Sequence, residues 1–321
     1  MKKILLSGIQ PSGTPHIGNY FGAMKQFVDF QDTYESYIFV ATYHAMTTIS
    51  DPEALRRMTH DVVLDYLAIG LDPEKVTLYR QTGLTELHEL TWILDCLTTV
   101  PYLSRAHSYK DKVAKGITPS VGLFQYPVLM AADMLLPNAD IVPVGQDQRQ
   151  HVEIARDIAE KFNATYGDTF KIPEEFIPET VATVPGIDGQ KMSKSYGNTI
   201  SLFGDEKEIE KSIKKIVTDS KNPEDKKNPD ECNVFALHRL ITPTQQLEQL
   251  QKGYEEGGLG YGESKKILFE NMKTYFSEMK ERRAEFEKKP DYIADILHTG
   301  ESKMKKKFEE RMNIIREKVG L

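Results

Sequence analysis

Two short segments of this 321-residue chain hold residue types suited to gripping a triphosphate. The first, Gln10-Pro11-Ser12-Gly13-Thr14-Pro15-His16-Ile17-Gly18-Asn19, reads as a tight turn from a strand into a helix. Its small residues let a nucleotide approach the backbone, and the first turn of a helix offers N–H groups without intrahelical partners and a dipole that favours anions. The His16 imidazole and Asn19 amide can donate to phosphate oxygens as charge develops. By itself, His-x-Gly-Asn is equally what a strand–turn–helix with a surface histidine would contain. The second segment, Lys191-Met192-Ser193-Lys194-Ser195, lies between Gly186, Gly189 and Gly197, so a flexible backbone carries two ammonium groups and two hydroxyls that can close over phosphates. A solvated basic turn would explain its lysines but not Met192 among four polar residues.

The elements that must hold these segments alternate. Lys3–Ser7 has the length and apolarity of a buried parallel strand broken by Gly8, and from Ile17 the positions Phe21, Met24, Phe27 and Val28 recur at helical spacing. Tyr37–Thr42 reads as a second strand, Asp51–Gly70 as a helix with an N-cap followed by proline, Val76–Tyr79 as a third strand and Leu87–Leu97 as a helix. Such alternation predicts an α/β fold with a parallel sheet, and ligands in such sheets bind beyond the carboxyl ends of the strands. His44 falls just past the second strand, a ligand contact or an ordinary loop histidine. Lys110 and Lys112 follow the helix that carries Trp92 and, read from the residues alone, are those of a solvated loop.

Leu123–Leu136 is almost wholly apolar, yet Asp133 sits within it, and a carboxylate there needs a partner. It either satisfies the fold, as a cap or paired with an arginine, or accepts a hydrogen bond from a substrate N–H. Ile141–Gly145 reads as a strand that Pro143 would demote to an edge or a bulge, and Gln146-Asp147-Gln148 opens an amphipathic helix running to Phe162. Asp147 there could cap the helix, take ribose hydroxyls or meet an ammonium group.

The chain is long enough for about two domains, and 28% charged residues with 40% hydrophobic is an ordinary globular balance. A net charge of −7 neither favours nor excludes a nucleic-acid partner, because local clusters decide. Cys96 and Cys232 have no disulfide or metal-ligand spacing, and the apolar run after Met1-Lys2-Lys3 is too short for a leader; no stretch approaches the ~20 apolar residues of a membrane span. A reduced cytoplasm is the expected compartment. Beyond Asn198 charged helices are expected over Lys207–Val217, Val234–Leu240, Pro243–Tyr254 and Glu263–Lys288, with a core stripe from Ile267 to Met279. Gly253–Gly262 reads as a hinge, and Lys303–Lys307 as a solvated face or a contact to RNA.

Gly8-Ile9-Gln10-Pro11-Ser12-Gly13, Gly18-Asn19-Tyr20, Met130-Ala131-Ala132-Asp133, Asp140-Ile141-Val142-Pro143-Val144-Gly145 and Lys191–Ser195 together resemble the bacterial tryptophanyl-tRNA synthetases of class I, along nearly the whole chain. The resemblance implies a Rossmann-like catalytic domain over 1–186, with a helix of about 292–321 returning to pack on it, and a signature loop and all-helical anticodon-binding domain over 187–291. It implies ATP contacts from Gln10, Pro11, Ser12, Gly18, Asn19, Gly145, Gln146, Asp147, Val184 and Lys191–Ser195 (Met192, Ser193 and Lys194 included), with Mg²⁺ carried by ATP and no metal site of the protein's own. Catalysis would rest on His16, Asn19, Lys191, Lys194 and Ser195. Asp133 would accept the indole N–H of L-tryptophan, with Leu6, His44, Met130, Val142 and Val144 around the ring, Tyr126 and Gln148 near the ammonium group, and Lys110 and Lys112 near pyrophosphate. A homodimer holding tRNA(Trp) across both subunits is implied as well. Leu6 stands where the family often has an aromatic residue, and His16 where many members have threonine. A tyrosine-specific enzyme would share the fold and both signatures; a tryptophan sensor would keep Asp133 and lose the phosphate machinery.

Overall fold

The computed structural model describes residues 2–106, 109–110, 116, 118–145, 148–176 and 184–321. Five parallel strands, β1 (Ile4–Ile9), β2 (Glu35–Val40), β3 (Val76–Arg80), β4 (Ile141–Pro143) and β5 (Glu174–Phe176), form one sheet in the order β3-β2-β1-β4-β5. Helices α1 (Ile17–Asn19), α2 (Lys25–Phe30), α3 (Thr42–Ala45), α4 (Pro52–Ala68), α5 (Glu86–Leu97), α6 (Val100–Leu103), α7 (Val121–Leu135) and α8 (Arg149–Tyr166) lie between the strands. Helices α9 (Glu206–Lys214), α10 (Asn233–Ile241), α11 (Thr244–Glu256), α12 (Tyr261–Glu287) and α13 (Pro290–Val319) follow. The strand order reverses between β1 and β4, and a crevice outside the carboxyl ends is the consequence of that topology.

The central strands are apolar on both sides because both faces are covered. Leu5 points into one core with Ile38, Val40, Val63, Leu67, Phe235, Leu268, Met272 and Phe276. Its neighbour Leu6 points into the other, with Tyr37, Phe39, Leu90, Val128, Val152, Phe162 and Phe308. The stripe on α12 is therefore core, as its spacing predicts, and Phe276 meets Tyr20 edge-to-face at 5.3 Å. Asp51 caps α4 as read from the sequence, its carboxylate accepting from Glu53 and Ala54 N–H.

Several boundaries differ from the sequence reading for local reasons. β1 runs through Gly8 to Ile9, and a Cβ on Gly8 would lie 2.5 Å from the Phe39 ring, so the glycine accommodates a side chain inside a strand instead of ending it. The helix after the first signature contains a π-helical turn, Tyr20–Met24, between α1 and α2. Pro143 belongs to an interior strand, not an edge; it is the last residue of β4, where pairing with β1 has already ceased. β5 is three residues of Glu-Glu-Phe, too short and polar for a pattern to reveal. Gly253 and Gly262 lie inside α11 and α12, which shortens the glycine-rich connection to 257–260.

α13 returns to β3. Met304, Phe308, Met312 and Ile315 are fully buried beneath it, Arg80 pairs with Glu301 through two bonds of 2.6 and 3.1 Å, and Lys303 and Lys307 donate to Thr77 Oγ1 and the Tyr37 hydroxyl at 2.9 Å each. Lys307 is thus half-buried against the sheet, while Lys303, though bonded to it, stays exposed with Lys305 and Lys306. A Cβ on Gly300 would fall 2.0 Å from the Leu78 carbonyl oxygen. Gly300→Ala is expected to push α13 off the strand at a cost of about 3 kcal/mol, visible as a lower melting temperature by circular dichroism; an unchanged midpoint would show that the helix can slide.

Candidate active site

The crevice is a cavity of about 850 Å³ lined by the ends of β1 and β4, the turn after β1, and side chains from α3, α7 and α8. Gln10, Ser12, Gly13, Asn19 and Lys194 line it, as do Leu6, His44, Tyr126, Met130, Asp133, Val142, Val144, Gly145 and Gln148. Gly13 makes the turn with φ +80°, which a side chain would strain.

At the helix entrance His16 and Asn19 cap each other: His16 Nδ1 accepts from the Asn19 N–H at 3.2 Å, and Asn19 Oδ1 accepts from the His16 N–H at 3.1 Å. This reciprocal box fixes the entrance of α1 and places Asn19 on the cavity wall. His16 is buried and stands behind the wall rather than in it. Burial, and secondarily the nearby Lys194 charge, hold it down at about 4, so its ring is neutral near pH 7 with the proton on Nε2. The unfolded chain therefore takes up this proton first as pH falls, and stability present above pH 6.5 is lost between 6.5 and about 4. His238, pushed to about 4 by burial, adds a loss of the same sign. The melting temperature is expected to fall from pH 7 to pH 5, less steeply in His16→Asn; equal slopes would mean that His16 titrates normally.

The two signature segments meet. Lys194 Nζ donates to the carbonyls of Ser12 at 2.7 Å and Gly13 at 3.0 Å, and burial lowers its pKa. Ile17 N–H donates to Ile200 O, and Leu202 N–H to Pro15 O, so the chain after the basic loop is tied to the helix entrance. A Cβ on Gly18 would lie 2.9 Å from His16 Nδ1 and 3.1 Å from Met192 Cβ, which is why a residue without one stands there. Met192 is buried in the core as the loop's apolar anchor, so its place among polar residues has a structural reason. The loop is also more fixed than its glycines suggest: Asn198 Oδ1 accepts from Ser193 N–H, Asn198 Nδ2 donates to Asp188 and to the Lys191 carbonyl, and Ser193 Oγ accepts from Ser195 N–H.

Lys191 and Ser195 are exposed and lie outside the cavity wall, as do Pro11, Gly18, Val184, Met192 and Ser193. Val184 is buried, its carbonyl accepting the Met192 N–H. Lys110 is exposed on a helical turn away from the wall. Lys112, Gln146 and Asp147 lie outside the described residues. No group of three or more His, Cys, Asp or Glu side chains among the described residues is placed to hold a metal ion.

Asp133 is 3% exposed. Its partners are neither an arginine nor a helix end: His44 Nε2 lies 3.0 Å from Oδ2, and the Gln81 amide donates to both oxygens at 2.8 and 3.0 Å. Burial pushes this carboxyl up, and the bonds from His44 and Gln81 oppose that. The His44 ring stands edge-on to Tyr126 at 5.9 Å, and the Tyr126 hydroxyl lies 2.8 Å from His151 Nε2. Gln81 and His151 are missed by the sequence reading. Gln81 follows β3 as His44 follows β2, so the strand-end rule applied to every strand would have found it; His151, in the first turn of α8, is hidden among helix-surface residues.

Residues 2–277 match the family model of class I tRNA synthetases for tryptophan and tyrosine. The chain belongs to this family. It is 49% identical over 317 residues to the tryptophan–tRNA ligase of Fusobacterium nucleatum, covering 98% of this chain and 97% of that protein. The tryptophanyl-tRNA synthetase of Campylobacter jejuni, crystallised with ADP and tryptophan, superposes with a TM-score of 0.95 at 49% identity, over 99% of this chain and 100% of that one. The tyrosyl-tRNA synthetase of Archaeoglobus fulgidus shares the fold, with a TM-score of 0.67 at 20% identity over 88% of this chain and 90% of that one. The Rossmann-like sheet joined to a helical region is thus the architecture of class I synthetases.

Proposed function

We propose that the protein is a tryptophan–tRNA ligase: it joins L-tryptophan to ATP as tryptophanyl-adenylate, releasing pyrophosphate, and then transfers tryptophan to tRNA(Trp). The observation that carries this reading is one cavity lined by Asn19 at a helix entrance, by Lys194 and by a buried carboxylate, Asp133. The tryptophan carboxylate oxygen attacks the α-phosphorus, the bond from that phosphorus to the bridging oxygen breaks, and pyrophosphate leaves with the Mg²⁺ that ATP brought. A hydroxyl of the terminal adenosine of the tRNA then attacks the activated carbonyl, and AMP leaves.

No side chain becomes a nucleophile in these steps; catalysis is positioning and stabilisation of growing negative charge. Neutral His16 acts through its cap on Asn19, which fixes the helix entrance, and gives up no proton. Lys194 exchanges two neutral carbonyls for phosphate oxygens, and Lys191 and Ser195 join it when the loop closes. Gln10, Pro11, Ser12, Gly18, Asn19, Gly145, Gln146, Asp147, Val184, Met192 and Ser193 hold the nucleotide directly or through the backbone, and Lys110 and Lys112 face pyrophosphate. Leu6, Met130, Val142 and Val144 surround the indole, with Tyr126 and Gln148 near the ammonium group. Residues 1–186 form the catalytic unit and 187–291 the anticodon-binding unit of a cytoplasmic homodimer. Incubating the enzyme with ATP, total bacterial tRNA and labelled tryptophan or tyrosine tests this: tryptophan alone should become acid-precipitable, and charging with tyrosine would reverse the specificity.

A further inference from the structure

Gln81 is fully buried at the carboxyl end of β3 and reaches two other elements. Its Oε1 accepts from the backbone N–H of Tyr43 at 2.9 Å and, more weakly, from that of His44 at 3.4 Å. A backbone N–H can only donate, so this contact fixes which end of the amide is oxygen and turns Nε2 towards Asp133. There Nε2 bonds both carboxylate oxygens, while His44, whose backbone Gln81 also holds, meets Oδ2 through its ring. One amide thereby sets the carboxylate's position and that of its second partner. Beside it, Thr82 N–H donates to Thr42 Oγ1 at 3.1 Å, so α3 and the turn after β3 are joined twice.

We infer that Gln81 is a positioning residue for indole recognition: it holds Asp133 as an oriented acceptor and so sets how strongly the pocket selects a ligand bearing a ring N–H. The inference rests on the reading that Asp133 accepts that N–H. A carboxylate has about four lone-pair directions, and the three contacts from Gln81 and His44 leave about one for a ligand. A protonated Asp133 would present an O–H donor, and where that met the ring N–H two donors would face each other in a buried site, a costly arrangement. His44 from α3, Tyr79 from β3 and His88 from α5 are the titratable groups near this carboxyl, while His151 meets Tyr126 instead. None of them replaces the amide's two-oxygen grip.

The test compares tryptophan with β-(3-benzothienyl)-L-alanine, in which sulfur replaces the ring N–H, in ATP–pyrophosphate exchange. Gln81→Met keeps the length and removes the donor; Gln81→Glu keeps the acceptor for Tyr43 N–H and places a second carboxyl against Asp133. In both, KM for tryptophan is expected to rise about tenfold, KM for ATP to stay within about twofold, and the preference in kcat/KM for tryptophan over the analogue to fall about tenfold. A variant destabilised merely by packing would lose activity without losing that preference. If Asp133→Asn abolishes the preference and both Gln81 variants keep it, the role given to Gln81 is wrong. If Asp133→Asn itself keeps it, the indole reading of Asp133 is wrong. Should Gln81→Met fail to fold, Gln81→Glu carries the comparison.

Discussion

Asp133→Ala is expected to lower kcat/KM for tryptophan by about 10³, with KM for ATP nearly unchanged. The magnitude combines loss of a charge-assisted bond, about 1.5–3 kcal/mol, with the donors of His44 and Gln81 left without their acceptor, about 1–3 kcal/mol more. Asp133→Asn should do no better, although it is nearly isosteric. Gln81 donates to both oxygens, so one carboxamide position would set NH₂ against NH₂, and the other would turn NH₂ towards the indole. Steady-state kinetics at varied tryptophan decide the matter, and a loss smaller than about tenfold would remove Asp133 from substrate recognition.

Much of the fold was legible because its signals are local and strong. Tyr37-Ile38-Phe39-Val40 can only be a strand covered on both faces, and Asp51-Pro52 can only open a helix. The strand-end rule placed His44 and Gly145 beside one cavity, and the apolar run around Asp133 announced a buried carboxylate. What escaped depends on contacts between distant residues. Gly8 looks like a strand breaker until Phe39 fills the space its missing side chain leaves, and Met192 looks like an oddity in a basic loop until the core beneath it is seen. Gln81 has no pattern of its own; its meaning comes from standing between Tyr43 and Asp133, 38 and 52 residues away.

Lys194→Met should act on a different quantity. Its ammonium group lies against the Ser12 and Gly13 carbonyls, within reach of the turn that would receive the phosphates. Removing one donor to a developing anion costs about 10²–10³ in kcat. The expected result is that loss in the rate of adenylate formation, with KM for tryptophan within about threefold of wild type, because the lysine is held on the Ser12–Gly13 turn whereas Asp133 is held by His44 and Gln81. A raised KM for ATP with kcat preserved would instead make Lys194 a ground-state clamp.

The most direct test of the central claim is amino-acid-dependent ATP–pyrophosphate exchange across all twenty amino acids, with wild type and Asp133→Ala side by side. Exchange with tryptophan alone, collapsing in the variant, is the predicted result. Exchange driven by tyrosine, or tryptophan exchange that survives the loss of Asp133, would contradict it.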